Sequence, residues 1–268
     1  MFKKILTFIF AAMLIFSLSS AAAAVSLSVD SREISQDVYL INSTTYVPIR
    51  AVSETLSADA KISWEGGRAI VKTPQLTITA RPDNCYIEAN GRMLYVPDGV
   101  RLINGRTLVP VRVLAKAFGA EVSWNPAAVK ASLIRGSGTI ASGEQFYNSD
   151  SVYWLSRIIS AESEGESLHG KIAVGNVILN RTKSPSYPNT IYEVIFDNKW
   201  GVQFTPTANG SIYKEPSAES VLAAKLCLDG ASAAGESLYF LNPQIATSFW
   251  ISQSCSYVTT IGNHVFYA

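Results

Sequence analysis

An internal repeat in the first half of the chain limits its fold more than any other sequence feature. The segment 41–50 (INSTTYVPIR) aligns with the segment 103–112 (INGRTLVPVR) at a constant offset of 62 residues. Each copy continues into a short helical pattern and reaches a tryptophan, Trp64 or Trp124, before a β-rich run. Repetition at this spacing predicts one small β-β-α-β unit that is used twice.

Each copy of the repeat places an arginine, Arg50 or Arg112, two residues after a proline. The proline interrupts ladder pairing, and the guanidinium could either bind an anionic ligand or fix the following helix. Because both copies carry the arginine, the structural role is favoured. Residues 25–135 resemble the domain named after the N-terminal part of copper amine oxidases. This half contains no histidine, so we expect no copper and interpret it as a non-catalytic module that positions the protein at a cell surface.

The N-terminus has the pattern of a secretory signal peptide. Lys3 and Lys4 precede an apolar run over residues 5–16, and a tract of small residues ends at Ala24. The run is shorter than the roughly 20 residues that a transmembrane helix needs, so an uncleaved anchor is the less favoured alternative. We therefore expect residues 1–24 to be a signal peptide and the mature protein to lie outside the cytoplasm, where disulfides form.

The composition changes between the two halves. Residues 136–143 read GSGTIASG, which is typical of a flexible linker with little to pack, and we expect a linker over 136–150. A second domain is expected over 151–268, mainly helical but α+β in class. Its predicted elements are a helix around Leu155 to Glu162, helices over Leu168 to Asn180 and Pro216 to Asp229, and strands over Leu238 to Leu241 and His264 to Tyr267.

Charge and metal-ligand content argue against two classes of function. The chain has 22 Lys and Arg against 21 Asp and Glu, a net charge of +1, whereas proteins that bind nucleic-acid phosphates carry a basic surplus. Only His169 and His264 supply imidazoles, and the three cysteines form no C-x-x-C pair. We therefore expect no nucleic-acid partner, no metal site and no cofactor.

Glu162 is the most informative candidate for chemistry. Leu155, Ile158, Ile159 and Glu162 stand at i, i+3, i+4 and i+7, so the carboxyl shares the apolar face of one helix. Burial raises a carboxyl pKa, which prepares a general acid for work near neutral pH. The alternative is a structural carboxylate, ion-paired or capping the next helix. Glu164 and Glu166, on either side of a glycine, are expected to be solvated.

The cysteines leave several interpretations open. A nucleophilic Cys227 or Cys255 with His264 as its base has no supporting local motif. A disulfide between Cys227 and Cys255, or two inert thiols, is favoured in an oxidising compartment. We predict the disulfide because both residues lie in the second domain, whereas Cys85 lies in the first and is expected to be a buried thiol.

Aromatic and amide side chains crowd the second half, where packing explains most of them and a sugar-binding groove would use the rest. Several ordered motifs then extend over nearly all of 151–268, and together they resemble the cell-wall hydrolase domain of the SleB family of spore-cortex-lytic enzymes. The motifs are AESEGE from Ala161, GKIAVGNVILNR from Gly170, YPNTI from Tyr187, QFT from Gln203, LYFLNP from Leu238 and GNHVF from Gly262.

The resemblance implies a lysozyme-like fold and a lytic transglycosylase of peptidoglycan, with Glu162 as catalytic acid and base. It further implies that Gln203, Phe204, Tyr239, Asn242 and His264 line the cleft. In such an enzyme the C6 hydroxyl of the muramic sugar attacks C1, so one carboxyl suffices where ordinary glycosidases use two.

The expected partner is therefore the peptidoglycan glycan strand of spore cortex or vegetative wall, and the expected location is secreted, at the cell wall or spore envelope. Two alternatives stay open. One is a hydrolysing muramidase, and the other is a non-catalytic wall-binding or spore-coat protein that kept the fold. A regulatory partner protein and its identity are left open.

Overall fold

The computed structural model describes residues 25–34 and 37–268. The expected signal peptide, residues 1–24, lies outside this part of the chain. Strands dominate the first half and helices the second, which confirms the α+β class. No helix in the described ranges is long and apolar enough to cross a membrane.

The first half consists of strands and two short helices. Its elements are β1 (Ser26–Val29), β2 (Arg32–Ile34), β3 (Tyr39–Ile41), β4 (Thr44–Pro48), α1 (Ile49–Leu56), β5 (Lys61–Glu65), β6 (Arg68–Lys72), β7 (Thr77–Ala80), β8 (Tyr86–Ala89), β9 (Arg92–Tyr95), β10 (Arg101–Ile103), β11 (Arg106–Pro110), α2 (Val111–Phe118), β12 (Glu121–Asn125) and β13 (Lys130–Ile134). Elements β3, β4 and α1 begin 62 residues before β10, β11 and α2, which is the offset of the sequence repeat. Duplication of one unit stays a prediction.

Both short helices begin directly after a proline. Pro48 and Pro110 have φ angles of −65° and −57°, and a residue with φ fixed near these values suits a helix start. Helix α2 ends at Gly119, whose φ of 61° is a left-handed conformation that glycine adopts without strain. A Cβ at Gly119 would also lie 2.5 Å from the carbonyl oxygen of Gly138. Both the positive φ angle and this close approach therefore require glycine at position 119.

The described strands of the first half form three sheets, with the orders β12-β13-β1-β2, β10-β11-β4-β3 and β5-β6-β7-β8-β9. Strands β4 and β11 pair antiparallel in the middle of the second sheet, with Val47 opposite Val109. Strand β1 pairs in parallel with β13, which joins the beginning and the end of this half. The sheets and both helices enclose one core, whose largest side chains include Leu27, Tyr46, Leu76, Ile78, Ile87, Leu94, Leu108, Leu114 and Leu133.

The second half is mainly helical and ends in a small sheet. Its elements are α3 (Gly143–Phe146), α4 (Ser149–Ser163), α5 (Leu168–Lys183), α6 (Ile191–Ile195), α7 (Thr205–Asn209), a 3₁₀ turn (Ser211–Tyr213), α8 (Ala218–Leu228), β14 (Tyr239–Leu241), α9 (Trp250–Ser254), β15 (Tyr257–Ile261) and β16 (His264–Tyr267). Helices α4, α5 and α8 begin at polar N-caps, Asn148, Ser167 and Ser217, whose side-chain oxygens accept hydrogen bonds from backbone N–H groups of the first turn.

Helices α4, α5 and α8 pack against each other around Gly175. A Cβ at Gly175 would lie 2.7 Å from Cys227 Sγ on α8 and 2.9 Å from Ile159 Cδ1 on α4. Neither approach is possible for a real side chain, so glycine sets how close α5 comes to the other two helices. Leu155, Ile158 and Ile159 are fully buried here, as the periodicity of α4 predicts.

The segment after the first half is packed, which differs from the expectation of a flexible linker with little to pack. Ile140 is buried in the core of the first half, and its N–H donates to Ala117 O over 3.1 Å. The Gly143 N–H donates to Asn90 O over 2.8 Å, and Arg92 stacks over the Phe146 ring at 3.3 Å from its centroid. The small side chains of this segment allow its backbone to contact the first half closely. Composition indicates conformational freedom but not such contacts.

The two halves meet at an interface that is centred on Asp229, just after α8. The Asp229 carboxylate accepts hydrogen bonds from Arg92 and Lys116 of the first half and from Tyr147 before α4. Burial opposes ionisation of Asp229, but these three donors outweigh it and lower its pKa. Tyr86, Met93 and Tyr95 of the first half pack against the apolar core of the second, so the interface is apolar as well as charged.

Candidate active site

A cleft of about 610 Å³ opens on the second half beside the C-terminal end of α4. Its walls come from α4, the end of α5, the loop before α7, strand β14 and helix α9. The lining residues are Glu162, Arg181, Ser186, Tyr187, Asp197, Trp200, Val202, Gln203, Phe204, Thr205, Tyr239, Phe240, Trp250 and Ile251. The cleft therefore combines aromatic faces with a few polar groups, as binding sites for small organic ligands usually do.

Glu162 brings a carboxyl to this cleft from the last turn of α4. The side chain is half-buried, and burial raises its pKa from 4.5 to about 7. Among the described residues the carboxyl has no hydrogen-bond or ion-pair partner, which argues against the ion-paired structural alternative. A carboxyl with this pKa is protonated in a large fraction of molecules at neutral pH and can donate that proton.

Lys171 on α5 fixes the turn that follows Glu162. Its buried ammonium donates hydrogen bonds to the carbonyl oxygens of Glu164, over 3.2 Å, and Glu166, over 2.5 Å. The same ammonium pairs with Glu219 on α8 over 2.7 Å. These contacts join the end of α4 to both neighbouring helices, so the backbone around Glu162 is held from two sides.

Arg181, at the end of α5, supplies a buried cation to the cleft. The side chain is 5% exposed, and its Nε donates to Leu238 O over 2.8 Å. The guanidinium carbon lies 4.8, 5.2 and 5.5 Å from the ring centroids of Tyr187, Phe204 and Tyr239. Burial lowers the Arg181 pKa, but an arginine stays charged in proteins, so the guanidinium orders three aromatic rings by cation–π contact.

Three of the five residues that the resemblance places in the cleft lie with Glu162. Gln203, Phe204 and Tyr239 all line it. The Gln203 side-chain amide donates to Gly201 O over 3.0 Å, which leaves its carbonyl oxygen available to a ligand. Tyr239 packs edge-to-face against Trp250, with 5.5 Å between the ring centroids. Their function as substrate-binding residues stays a prediction.

Asn242 and His264 do not lie among the lining residues of this cleft. Asn242 Oδ1 accepts a hydrogen bond from the N–H of Gln244, which closes the turn after β14. His264 is buried in contact with the rings of Phe240 and Phe266, at 5.3 and 6.3 Å between centroids. Burial lowers the His264 pKa, so its ring is neutral at neutral pH. Asn242 thus stabilises a turn and His264 packs against aromatic rings, and a role of either residue in binding stays a prediction.

Glu166 is buried, and the expectation that it is solvated is wrong. Its carboxylate accepts hydrogen bonds from the Asn263 side-chain amide, over 2.9 Å, and from the Asn263 backbone N–H, over 3.3 Å. His264 Nδ1 lies 3.6 Å away. These contacts tie the end of α4 to the turn between β15 and β16. Glu164 is exposed, as expected.

The predicted disulfide between Cys227 and Cys255 is wrong, since both thiols are free, as is Cys85. Cys227 is buried on α8, where its thiol donates to Ile172 O over 3.3 Å and burial raises its pKa. Cys255 lies directly after α9 and is partly buried. A shared position in the second half of the chain does not bring two cysteines within disulfide reach, because a bridge needs Cβ atoms about 4 Å apart.

Arg181 and Asp197 belong to the cleft but were not singled out by sequence reasoning. Arg181 follows Val177 and Ile178 by four and three positions, so helical periodicity already put it on the buried face of α5. A charged residue on such a face is a usable signal. Asp197 lies in an irregular loop, and no periodicity marks it. Among the described residues no cluster of three or more His, Cys, Asp and Glu could hold a metal.

Two segments of the chain match known families. Residues 165–267 match the family model described as Cell Wall Hydrolase, and residues 28–133 match the one described as Copper amine oxidase N-terminal domain. Both resemblances predicted from the sequence are therefore confirmed. The first match begins three residues after Glu162, so it does not itself include the carboxyl.

Spore cortex-lytic enzymes are among the relatives of this chain. The enzyme of Bacillus cereus is 37% identical over 120 residues, which cover 45% of this chain and 45% of the relative. The enzyme of Bacillus subtilis is 36% identical over 121 residues, which cover 45% and 38%. The chain thus matches less than half the length of these curated relatives. A solved catalytic domain, that of the germination-specific lytic transglycosylase SleB from Bacillus anthracis, is 35% identical, with a TM-score of 0.43 over 48% of this chain and 100% of that domain.

Proposed function

We propose that this protein cleaves the glycan strands of peptidoglycan, in spore cortex or cell wall, as a secreted lytic transglycosylase with Glu162 as the general acid and base. One observation carries the proposal. A carboxyl with a pKa of about 7 and no counter-ion among the described residues stands in a polar, aromatic-lined cleft. The relatives named spore cortex-lytic enzyme support the substrate class.

In the proposed reaction the Glu162 carboxyl protonates the oxygen of the glycosidic bond, and the C1–O bond breaks. The resulting carboxylate then removes the proton of the muramic C6 hydroxyl as that oxygen bonds to C1. The products are a 1,6-anhydro sugar end and a new hydroxyl on the other fragment, so no water is consumed. A pKa near neutral suits both steps, because the group must first donate and then accept a proton.

The cleft residues have distinct proposed tasks. The partly exposed rings of Tyr187 and Tyr239, which Arg181 orders, would present flat faces to the sugars. The Gln203 carbonyl oxygen would accept hydrogen bonds from hydroxyl or N-acetyl N–H groups. Phe204 and Tyr239 belong to the same ring cluster. We further propose that the helical half has a lysozyme-like arrangement and that the strand-rich half derives from a duplicated unit, as the repeat predicts.

A hydrolysing muramidase is the second candidate, because Asp197 brings another carboxylate to the same cleft. Glycosidases that use water employ two carboxyls. Asp197 Oδ1, however, accepts a hydrogen bond from the Lys199 N–H over 3.0 Å, and its charge also acts on Arg181. These contacts favour a structural carboxylate over a base that activates water, so the transglycosylase is preferred.

The experiment that tests the proposal compares purified wild type with Glu162→Gln and, as a matched control, Glu164→Gln. The glutamine keeps size and hydrogen bonding but holds no transferable proton. Fragments released from purified cortex and from vegetative sacculi are identified by mass spectrometry. We expect Glu162→Gln to lose about 10²- to 10⁴-fold in rate, and Glu164→Gln to stay near wild type because its side chain is exposed.

The products separate the candidates. Fragments that end in 1,6-anhydro sugars support the transglycosylase, and reducing ends support the muramidase. In the latter case Asp197→Asn should also abolish release. A wild-type protein that binds wall and releases nothing would identify the non-catalytic alternative. Near wild-type release of anhydro fragments by folded Glu162→Gln would overturn the assignment of the acid.

A further inference from the structure

The first half carries a local twofold relationship at its centre. Across the β4–β11 pair, Val47 faces Val109, the residue 62 positions later, and Tyr46 faces Pro110 while Pro48 faces Leu108. Tyr46 therefore faces the repeat equivalent of Pro48, and Pro48 faces the repeat equivalent of Tyr46. This is the arrangement that a local twofold axis between Val47 and Val109 produces. Opposed residues of an antiparallel pair point to the same face of the sheet.

Two grooves in the first half are lined by residues that this twofold relationship makes equivalent. The first groove, of about 550 Å³, is bounded by Pro48 and Arg50 at the start of α1, by Trp64 on β5 and by the turn around Gly105. The second groove, of about 320 Å³, is bounded by Pro110 and Arg112 at the start of α2, by Trp124 on β12 and by the turn around Ser43. Each groove therefore takes its helix start and tryptophan from one copy of the repeat and its turn from the other.

Trp64 and Trp124 are both exposed, and the core of the first half does not include either of them. Trp64 is 52% and Trp124 38% exposed. Both lie on strands at the edge of their sheets, β5 and β12. A lone exposed apolar residue needs no explanation, but the same large ring at equivalent places of two grooves indicates a repeated use.

The charges in the grooves indicate which ligand fits. The first groove is lined by Arg32, Arg50 and Arg106 together with Glu33, Asp37 and Glu54, and the second by Arg112 and Asp98. Ion pairs join Arg50 to Glu54 and Arg106 to Asp37. Cations and anions therefore balance within each groove. Such a groove fits an uncharged ligand with many hydroxyl and amide groups better than a phosphate polymer or a nucleic acid.

We propose that the two grooves bind the sugar rings of a β-1,4-linked N-acetylhexosamine chain, with one ring stacked on Trp64 and another on Trp124. The C–H groups on one face of a pyranose pack against an indole face, and the paired arginines and acids bind the ring substituents. Two equivalent grooves suit a polymer with a repeating unit, because occupancy of one raises the effective concentration for the other. That the polymer is the wall glycan rests on the proposed function.

The module is also fixed to the domain that carries the cleft. Arg92 and Lys116 bind Asp229, and Tyr95 OH and His169 Nδ1 are 2.9 Å apart across the same interface. A glycan held in the grooves would therefore have a defined position relative to Glu162. The grooves would act as a positioning surface and take no part in bond cleavage.

Binding is tested on the full chain that carries Glu162→Gln, so that the ligand is not consumed. Trp64→Ala, Trp124→Ala and the double variant are compared with Tyr257→Ala, an exposed aromatic outside both grooves and the cleft. The probes are the hexamer of β-1,4-linked N-acetylglucosamine, followed by calorimetry, and purified sacculi, followed by co-sedimentation.

We expect each single substitution to weaken binding to sacculi and the double substitution to weaken it by at least about tenfold, since tryptophans dominate binding energies. Trp64→Phe and Trp124→Phe should restore part of the affinity, which separates stacking from a folding defect. Tyr257→Ala should bind like the parent.

Parental affinity in the folded double variant, or an equal loss in Tyr257→Ala, would overturn the inference. Failure of the proposed function would look different. It would appear as wall cleavage by the Glu162→Gln variant with both tryptophans in place. Co-sedimentation at low temperature does not require cleavage, so it would still measure binding by the grooves.

Discussion

Arg92 and Asp229, which are 137 residues apart, form a bidentate ion pair that joins the two halves of the molecule. Arg92 Nε donates to Oδ2 over 3.0 Å and Nη2 to Oδ1 over 2.5 Å. The Asp229 side chain is 1% exposed. Tyr147 OH donates to the same carboxylate over 2.7 Å and accepts from the Met93 N–H over 2.9 Å, so the segment before α4 is part of the interface.

Asp229→Asn should destabilise the whole molecule. The amide keeps the shape but leaves the buried Arg92 without its counter-charge, which costs about 3 kcal/mol in the free energy of unfolding. Glu54→Gln is the matched control, because its 3.7 Å pair with Arg50 is exposed and contributes less than about 0.5 kcal/mol. Urea denaturation followed by circular dichroism measures both values.

The same pair should show a pH dependence with a defined sign. The Asp229 pKa is lower in the folded than in the unfolded state, so its stabilisation is fully present above the unfolded value of about 3.9 and is lost as the pH falls below it. The stability difference between wild type and Asp229→Asn should therefore shrink below about pH 4. An undiminished difference at pH 3 would contradict this assignment.

Wall cleavage should decline on the alkaline side of neutrality. The Glu162 pKa is raised to about 7, and the acid must be protonated to act, so the rate should halve near pH 7 and fall about tenfold per unit above it. Fragment release between pH 5 and 9 measures the profile, with circular dichroism to show that the protein stays folded. A rate that is constant up to pH 9 would exclude Glu162 as the acid.

Gly262→Ala should cost far more stability than Gly235→Ala, although both positions have a positive φ, 58° and 54°. A Cβ at Gly262 would lie 1.8 Å from Glu166 Oε2, whereas a Cβ at Gly235 would meet only Val258, at 3.5 Å. Thermal unfolding of the two variants gives the comparison. Adding Glu166→Ala should relieve part of the Gly262→Ala defect, and an additive double variant would argue against contact between the two residues.

Thiol titration should find three free cysteines. In the folded protein Cys85 and Cys255, which are partly exposed, should react with a thiol reagent, and Cys227 should react only after unfolding because it is buried. The count in denaturant without reductant is decisive. One free thiol in place of three, in protein exported by its host, would restore the disulfide that the sequence suggested.

A fragment that begins at Ser149 should fold less stably than the full chain. It lacks Arg92, Lys116 and Tyr147, so Asp229 loses its three donors and becomes solvated, and the apolar surface under Tyr86, Met93 and Tyr95 becomes exposed. Asp229→Asn should then change the stability of the fragment little, in contrast to its effect on the full chain. Equal destabilisation in both contexts would show that the interface contributes little.

Local patterns predicted the parts of this fold that depend on neighbours along the chain. The face of α4 with Leu155, Ile158 and Ile159 is buried, and Glu162 stands at the cleft because of the same period of 3.6 residues. Polar N-caps and the two helix-starting prolines are equally local signals. The predicted helix over 168–180 extends to Lys183, since side-chain patterns mark helix ends poorly.

Local sequence patterns did not predict contacts between residues that are far apart along the chain. Glu166 is buried because Asn263, 97 residues later, binds its carboxylate. No residue near Glu166 in the sequence indicates that Asn263 is its partner. The packed segment around Ile140 looked like a linker because composition reports conformational freedom and not the surface that the segment meets. Cys227 and Cys255 both lie in the second half of the chain, yet the distance between their Cβ atoms depends on the whole arrangement of helices and sheet.

The absence of a side chain at Gly175 allows α4 to lie close to α5. The nearest atom on α4 is Ile159 Cδ1, and Ile159 lies less than one helical turn from Glu162, whereas Arg181 lies six residues after Gly175 on α5. A wedge of one methyl group at this point would turn α4 away from α5 and change the separation of the two charged groups that face the cleft. We therefore expect the distance between the acid and the cation to depend on the glycine behind them.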